Sequence, residues 1–310
     1  MPSDPEPSVQ KVPSNGAGRG TFRTLGGGGG GGGTGGSEVL LMLLADARLP
    51  TGAHTQSAGL EPAMRNGVSL ADVPAYIRTR LRTVVAVEAG AAAVARHLAA
   101  GLVGGAEAGP AGDEAAGDES GEDEAGEDEA GEDEAAEAGS AGDEAAGDVS
   151  ADPVGALASG LRAVDDAWRA RTVSPALREN AEVLGRGYAR LVTGLWPDAL
   201  ASEALRAVRR PTRAVAIGVA GALAGLDGGQ VARLIGYDDA QTVAAAALKL
   251  DPLDPVVATG WVAGVAGDID RMAAAVGALT VAADIPAAAA PLIEQWAQVH
   301  AITTQRLFRA

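Results

Sequence analysis

The chain has 310 residues, a formal net charge of −17 and no cysteine, and it is 47% hydrophobic but only 3% aromatic. The absence of cysteine excludes a disulfide framework, a thiol nucleophile and a thiolate metal site. The charge is concentrated: residues 104–152 hold 19 acids and no Lys or Arg, so 22 acids face 24 bases elsewhere, without the dense basic patch that nucleic-acid binding requires.

Residues 1–36 are rich in Pro, Ser and Gly and include eight consecutive glycines, Gly26–Gly33. Such a segment buries too little apolar area to offset its ordering entropy, which predicts a disordered tail. It has no early apolar core of a secretory signal, and no Gly-Lys-Ser/Thr follows the glycines to make a phosphate loop. The apolar run Val39–Leu44 predicts a first helix, and Pro50 ends it because its ring clashes with the preceding turn.

Leu49–Glu61 reads LPTGAHTQSAGLE. Gly52 and Gly59 permit backbone angles that a Cβ forbids. Ser57 is predicted to cap the next helix with its hydroxyl, and Glu61 to sit where the helix N-terminus favours a negative charge. The stretch is therefore a shaped polar loop between helices, the kind of loop that often carries function.

From Leu70 to Leu98 apolar residues recur at helical spacing, with Arg80 interrupting one row and Glu88 expected as a partly exposed helix charge. Residues 104–152 repeat short Asp/Glu-rich units; like charges repel, which predicts a disordered acidic insertion. Helices resume at Pro153, with Val154, Leu157, Leu161 and Val164 running toward Trp168. They continue from Ser174-Pro175 to Trp196-Pro197. Residues 200–226 predict a helix kinked or broken at Pro211. Its rows of small residues (Ala214, Gly218, Ala222) let helix backbones approach closely. The apolar run Ala214–Leu226 has 13 residues, short of the roughly 20 needed to cross a bilayer. Ala240–Leu250 is a helix that reaches Lys249, and further helical stretches follow Val256 and Ile269. In the last one Ile293, Trp296, His300, Thr303 and Leu307 share a stripe. No alternating strand pattern is convincing. The expectation is an all-α bundle of about eight to ten helices. It forms a single domain, 37–103 with 153–310, between the Gly-rich tail and the acidic insertion.

The loop resembles the opening signature of the UreF-type urease accessory proteins: Leu-Pro-x-Gly, four residues, then Ser-x-Gly-Leu-Glu. Leu49, Pro50, Gly52, Ser57, Gly59, Leu60 and Glu61 match it, while His54 and Gln56 stand where the family usually has aromatics. Further on, Ala214–Leu226 resembles the family's small-residue helix. Gln241–Leu253 resembles its Ala-rich segment ending in a basic residue and Pro-Leu; here Lys249 is that residue, and Asp254-Pro255 replaces the usual Gly-Gln. His300 and Arg306-Leu307-Phe308 resemble the family's ending, with Ala301 and Ala310 departing from it.

The resemblance implies a cytoplasmic, non-catalytic maturation factor for the nickel enzyme urease. Such a protein dimerises, binds the UreD/UreH accessory protein, recruits the UreG GTPase and supports nickel insertion into apo-urease. Nickel and GTP are handled by the partners, with no metal or catalytic residue assigned to this chain. Leu49, Pro50, Gly52, Ser57, Gly59, Leu60, Glu61, Lys249, His300, Arg306, Leu307 and Phe308 are the expected partner-binding residues, and no membrane or nucleic-acid contact is expected. Two other readings stay open: a helical scaffold of an unrelated assembly, and a hydrolase using Ser57. His54, His97 and His300 lack the His-x3-His spacing of a metal site. On its apolar stripe, His300 reads first as a packed, hydrogen-bonded histidine.

Overall fold

A computed structural model describes residues 34–105, 152–304 and 306–308. The expected disordered tail, up to residue 33, and the acidic insertion over 106–151 lie outside these residues. Their predicted edges are corrected: the first helix, α1 (Thr34–Leu44), starts inside the expected tail, and Asp152, counted with the insertion, caps a helix.

Among the described residues the fold is all-α, with no strand, as expected. After α1 and the loop come α2 (Leu60–Arg65), α3 (Val73–Arg82) and α4 (Val84–Gly105). Then follow α5 (Pro153–Arg171), α6 (Pro175–Leu195), α7 (Leu200–Ala207) and α8 (Arg213–Leu223). The series ends with α9 (Gly228–Leu250), α10 (Pro255–Gly264), α11 (Ala266–Val276) and α12 (Pro291–Ala301). Two of these, α2 and α7, have eight residues or fewer, so the expected eight to ten is met by the longer ones.

Local chemistry sets the boundaries. Asp152 and Ser174 accept the N–H of Gly155 and Leu177, with Pro153 and Pro175 in the first turns. The expectation of one helix over 70–98 is corrected, because Thr83 leaves helical angles (φ −124°, ψ −104°) and splits α3 from α4. Residues 200–226 break at Val208–Thr212, ahead of α8. The largest miss is α9, which starts twelve residues before Ala240. Its start is fixed by a capping box: Asp227 accepts from the Gln230 N–H, and the Gln230 side chain accepts from the Asp227 N–H.

The core is built on α4, which packs against α5, α8 and α9. The α4–α8 contact depends on Gly218, whose Cβ would lie 2.5 Å from the Ala92 carbonyl oxygen. Small residues thus replace large side chains as the means of burial, in keeping with the scarcity of aromatics. By length and composition alone the stretch Leu70–Val103 could cross a membrane. Here it is broken at Thr83, and most of its apolar residues are packed into the core.

Charged groups interrupt the apolar interior in pairs. Arg80 of α3 is bidentate to Asp239 of α9, with Nε–Oδ2 2.9 Å and Nη2–Oδ1 2.6 Å. Arg213 of α8 grips Glu88 of α4 through two hydrogen bonds (2.7 and 3.0 Å) and Asp238 through a third (2.6 Å). Glu88 is partly exposed, as expected, and is paired with Arg213. Burial still pushes the Asp238 carboxyl up, against the pull of Arg213.

Candidate functional site

Three stretches singled out in the sequence, far apart along the chain, meet at one place. The first is the loop 49–61. Gly52 (φ 87°), Ala58 (φ 49°) and Gly59 (φ 75°) all take left-handed angles. A Cβ on Gly59 would stand 2.9 Å from the Tyr76 hydroxyl, and that hydroxyl donates to the Ala58 carbonyl at 2.8 Å. Tyr76 thus clamps the tightest part of the loop, a role the sequence reading did not assign. Burial pushes its phenol up to about 12, so it remains a donor at neutral pH. The residue at the cap position of α2 is Gly59, not Ser57. Ser57 is fully buried, its Oγ accepting the Glu61 N–H at 3.5 Å.

Glu61 is the centre. The residue is 2% exposed, yet it is surrounded by donors. Its carboxylate accepts the N–H of Leu307 (2.9 and 3.1 Å) and of Phe308 (2.9 Å), one Arg65 guanidinium N–H (2.8 Å), and faces His300 Nε2 at 3.1 Å. Burial alone would raise its pKa. The two backbone N–H groups, joined by His300, overcome that and hold the carboxyl below the usual range. His300 is 1% exposed, and burial lowers its pKa against the opposing pull of Glu61. A neutral imidazole donating from Nε2 fits this setting, with Arg65 balancing the carboxylate. It leaves Nδ1 buried without a partner among the described residues.

The third stretch is Lys249, in the last turn of α9. Its Nζ donates to the His54 carbonyl at 3.2 Å and stands 5.2 Å from the centre of the Phe308 ring. One ammonium thus touches both the loop and the 306–308 segment. Arg306 donates to the His300 and Ala301 carbonyls at 3.3 and 3.2 Å, covering the C-terminal end of α12. The expected stripe ends with the helix: Ile293 and His300 are buried, while Thr303 and Leu307 lie beyond Ala301.

Burial divides the twelve residues expected to touch a partner. Ser57, Gly59, Leu60, Glu61, His300 and Phe308 are enclosed by this chain's own atoms and hold the site together from within. Pro50, Lys249, Arg306 and Leu307 are exposed, and Leu49 and Gly52 are partly so. The sequence reading also missed Arg65 and Tyr76. Arg65 stands four residues after Glu61, the spacing of a helical ion pair. Burial of the Ser57 hydroxyl leaves the hydrolase reading without an accessible nucleophile. Among the described residues no three of His, Asp and Glu are grouped to hold a metal ion.

The UreF family model matches residues 68–266. A urease accessory protein UreF from Mycobacterium sp. (strain JLS) is 31% identical over 270 residues, covering 86% of this chain and 96% of its own length. One from Mycobacterium marinum (strain ATCC BAA-535 / M) is 31% identical over 272 residues with the same coverage. One from Mycobacterium tuberculosis (strain ATCC 25618 / H37Rv) is 30% identical over 223 residues, 70% of this chain and 75% of its own. The match to the family model and the near full-length relatives together establish that the chain belongs to the UreF family of urease accessory proteins.

Proposed function

We propose that this protein is a non-catalytic maturation factor acting by contact. It links the UreD/UreH accessory protein to the UreG GTPase and supports GTP-dependent nickel insertion into apo-urease in the cytoplasm. One observation carries this reading: Lys249, the loop and the 306–308 segment form one surface, held by the buried Glu61 carboxylate. Holding the fold together would need only the buried half of this arrangement. The exposure of Lys249, Arg306 and Leu307 at the junction of the three segments supports a role in contact as well.

The UreD/UreH partner is assigned to the outer side of α12 and the adjoining segment, where Leu292, Val299, Ile302 and Leu307 are exposed. Exposed apolar groups of this size supply the desolvated centre of an interface. UreG is assigned to the neighbourhood of Lys249. Dimerisation is assigned to α10, an apolar helix in which Ala258 alone is buried. Nickel is cargo, and GTP is bound by the partner.

The test is reconstitution. Purified wild type and Leu307→Asp are compared for capture of UreD/UreH, and wild type and Lys249→Ala for GTP turnover and urease activation in the assembled complex. Loss of capture in the first and altered turnover in the second, with unchanged melting, support the assignment. Unchanged capture, turnover and activation in both would refute it.

A further inference from the structure

Helix α11 begins with a local excess of positive charge. Asp268, in its first turn, accepts hydrogen bonds from Arg78 of α3 (3.3 Å) and from Arg271, and Arg82 of α3 stands 3.8 Å from the same carboxylate. Three guanidinium groups thus surround one largely buried carboxylate. Asp270, the next acid on the helix, is held by Arg233 at 2.7 Å. The side chains of Arg82 and Arg271 are 71% and 70% exposed, and Arg82 makes no side-chain hydrogen bond to another described residue. Like charges held together repel, so the cluster favours an occupant that brings further negative charge.

The cluster opens onto an apolar groove of about 340 Å³, bounded by α3, α4, α11 and the segment ahead of α12. Buried Leu81, Met272 and Val276 form its floor, while Ala86 and Pro286 are partly exposed and Ala275 is exposed. Asp268 and Ala275 are two helical turns apart on α11, so the charged end and the apolar end are separated by about 10 Å. None of these residues belongs to the surfaces assigned above to UreD/UreH, UreG or a second copy of the chain.

We propose that this groove docks a protein partner through an acidic segment that carries an apolar side chain close to its carboxylates. The carboxylates meet Arg82 and Arg271, whose forked donors suit them. The apolar group covers Ala86, Ala275 and Pro286. An extended chain covers about 10 Å in about three residues, which sets the spacing between acid and apolar group. A basic segment would be repelled, and an uncharged one would cover the guanidinium groups without a countercharge, so charge complementarity selects the acidic partner.

The experiment titrates the full chain against rhodamine-labelled peptides and follows fluorescence anisotropy. The probes are Glu-Glu-Gly-Leu-Val, the same peptide with Gln for Glu, and the same peptide with Ser for Leu and Val. The first is expected to bind saturably, with affinity that falls as salt rises. Each of the other two is expected to bind about tenfold more weakly, for lack of charge in one and of apolar contact in the other. Arg82→Gln combined with Arg271→Gln is expected to weaken the first peptide about tenfold or more, with melting close to wild type because both side chains are exposed. Arg162→Gln combined with Arg209→Gln removes two exposed arginines outside the groove and is expected to leave the affinity unchanged. Equal affinity for either control peptide, wild-type affinity in the Arg82/Arg271 variant, or an equal loss in the Arg162/Arg209 variant would overturn the proposal. Absence of saturable binding would overturn it too, and binding recovered on deletion of residues 106–151 would then name this chain's own acidic stretch as the occupant.

Discussion

Helices α8 and α10 have nearly the same length and are both strongly apolar, yet they meet opposite fates. Ten of the eleven residues of α8 are buried, and only Ala258 of α10 is. The difference lies in shape and neighbours rather than hydrophobicity. In α8, Gly218 sits directly against the α4 backbone, so the whole helix is drawn into the core. α10 rests against α9 after the Asp251–Asp254 turn and leaves Val256 and Val257 outside. The Glu61 site lies between these extremes, with a buried polar centre supporting an exposed rim. Apolar density therefore says that a helix will be covered, not whether its own chain or another molecule covers it.

The sharpest way to break the contrast is at the buried polar centre. Glu61→Ala leaves the Leu307 and Phe308 N–H groups without their acceptor, at about 1–3 kcal/mol for each buried group left unsatisfied. Denaturant unfolding is expected to show a larger loss of stability than in Gly218→Val, Lys249→Ala or Val256→Asp. The same reasoning applies to removal of residues 306–310. Phe308 is 5% exposed and belongs to the core cluster, so deletion should lower the melting temperature as well as partner capture.

Gly218→Val tests the interior side of the comparison. The new side chain meets the Ala92 carbonyl, which cannot move aside without shifting α4, and overpacking of this kind costs about 1–3 kcal/mol. A thermal melt within error of wild type would show that α4 and α8 need not approach so closely.

Acid should loosen the Glu61 site in two stages. His300 has a lowered folded pKa, so the unfolded chain binds its proton first, and stability declines as pH falls below the ordinary histidine range. Glu61 has a lowered folded pKa too. Its contribution is present above the ordinary carboxylate range and is lost as pH falls through the folded value. Melting temperature against pH should therefore fall in both windows, and Glu61→Gln should flatten the lower one.

The smallest stability effects belong to the outer face. Lys249→Ala is expected to cost about 0.3–1 kcal/mol, the scale of a cation at a helix C-terminus, while changing GTP turnover in the assembled complex. Val256→Asp on α10 should leave the melting curve within about 0.5 kcal/mol of wild type, as surface substitutions usually do. It should also shift the sedimentation profile toward monomer. An unchanged profile would remove α10 from the dimer surface.

Much of this architecture was written locally. The helix starts at Pro153 and Pro175, the break near Pro211 and the close-approach rows of α8 follow from caps, ring geometry and small residues. These act within a few positions along the chain. The boundary errors arose where a local rule had a competitor. Gly228 and Gly229 disguised the start of α9, although the Asp227–Gln230 capping box marked it. The matches at Glu61, Lys249 and His300–Phe308 were visible one by one. Only tertiary structure decided that they are one site, that Glu61 faces inward, and that Lys249 reaches both the loop and Phe308. It likewise decided that Arg80 is buried and that Glu88 is paired, because their partners Asp239 and Arg213 lie 159 and 125 residues away. Sequence patterns specify which residues can be buried or capped. The partner that makes burying a charge tolerable comes from a distant segment, and its arrival depends on how the helices pack.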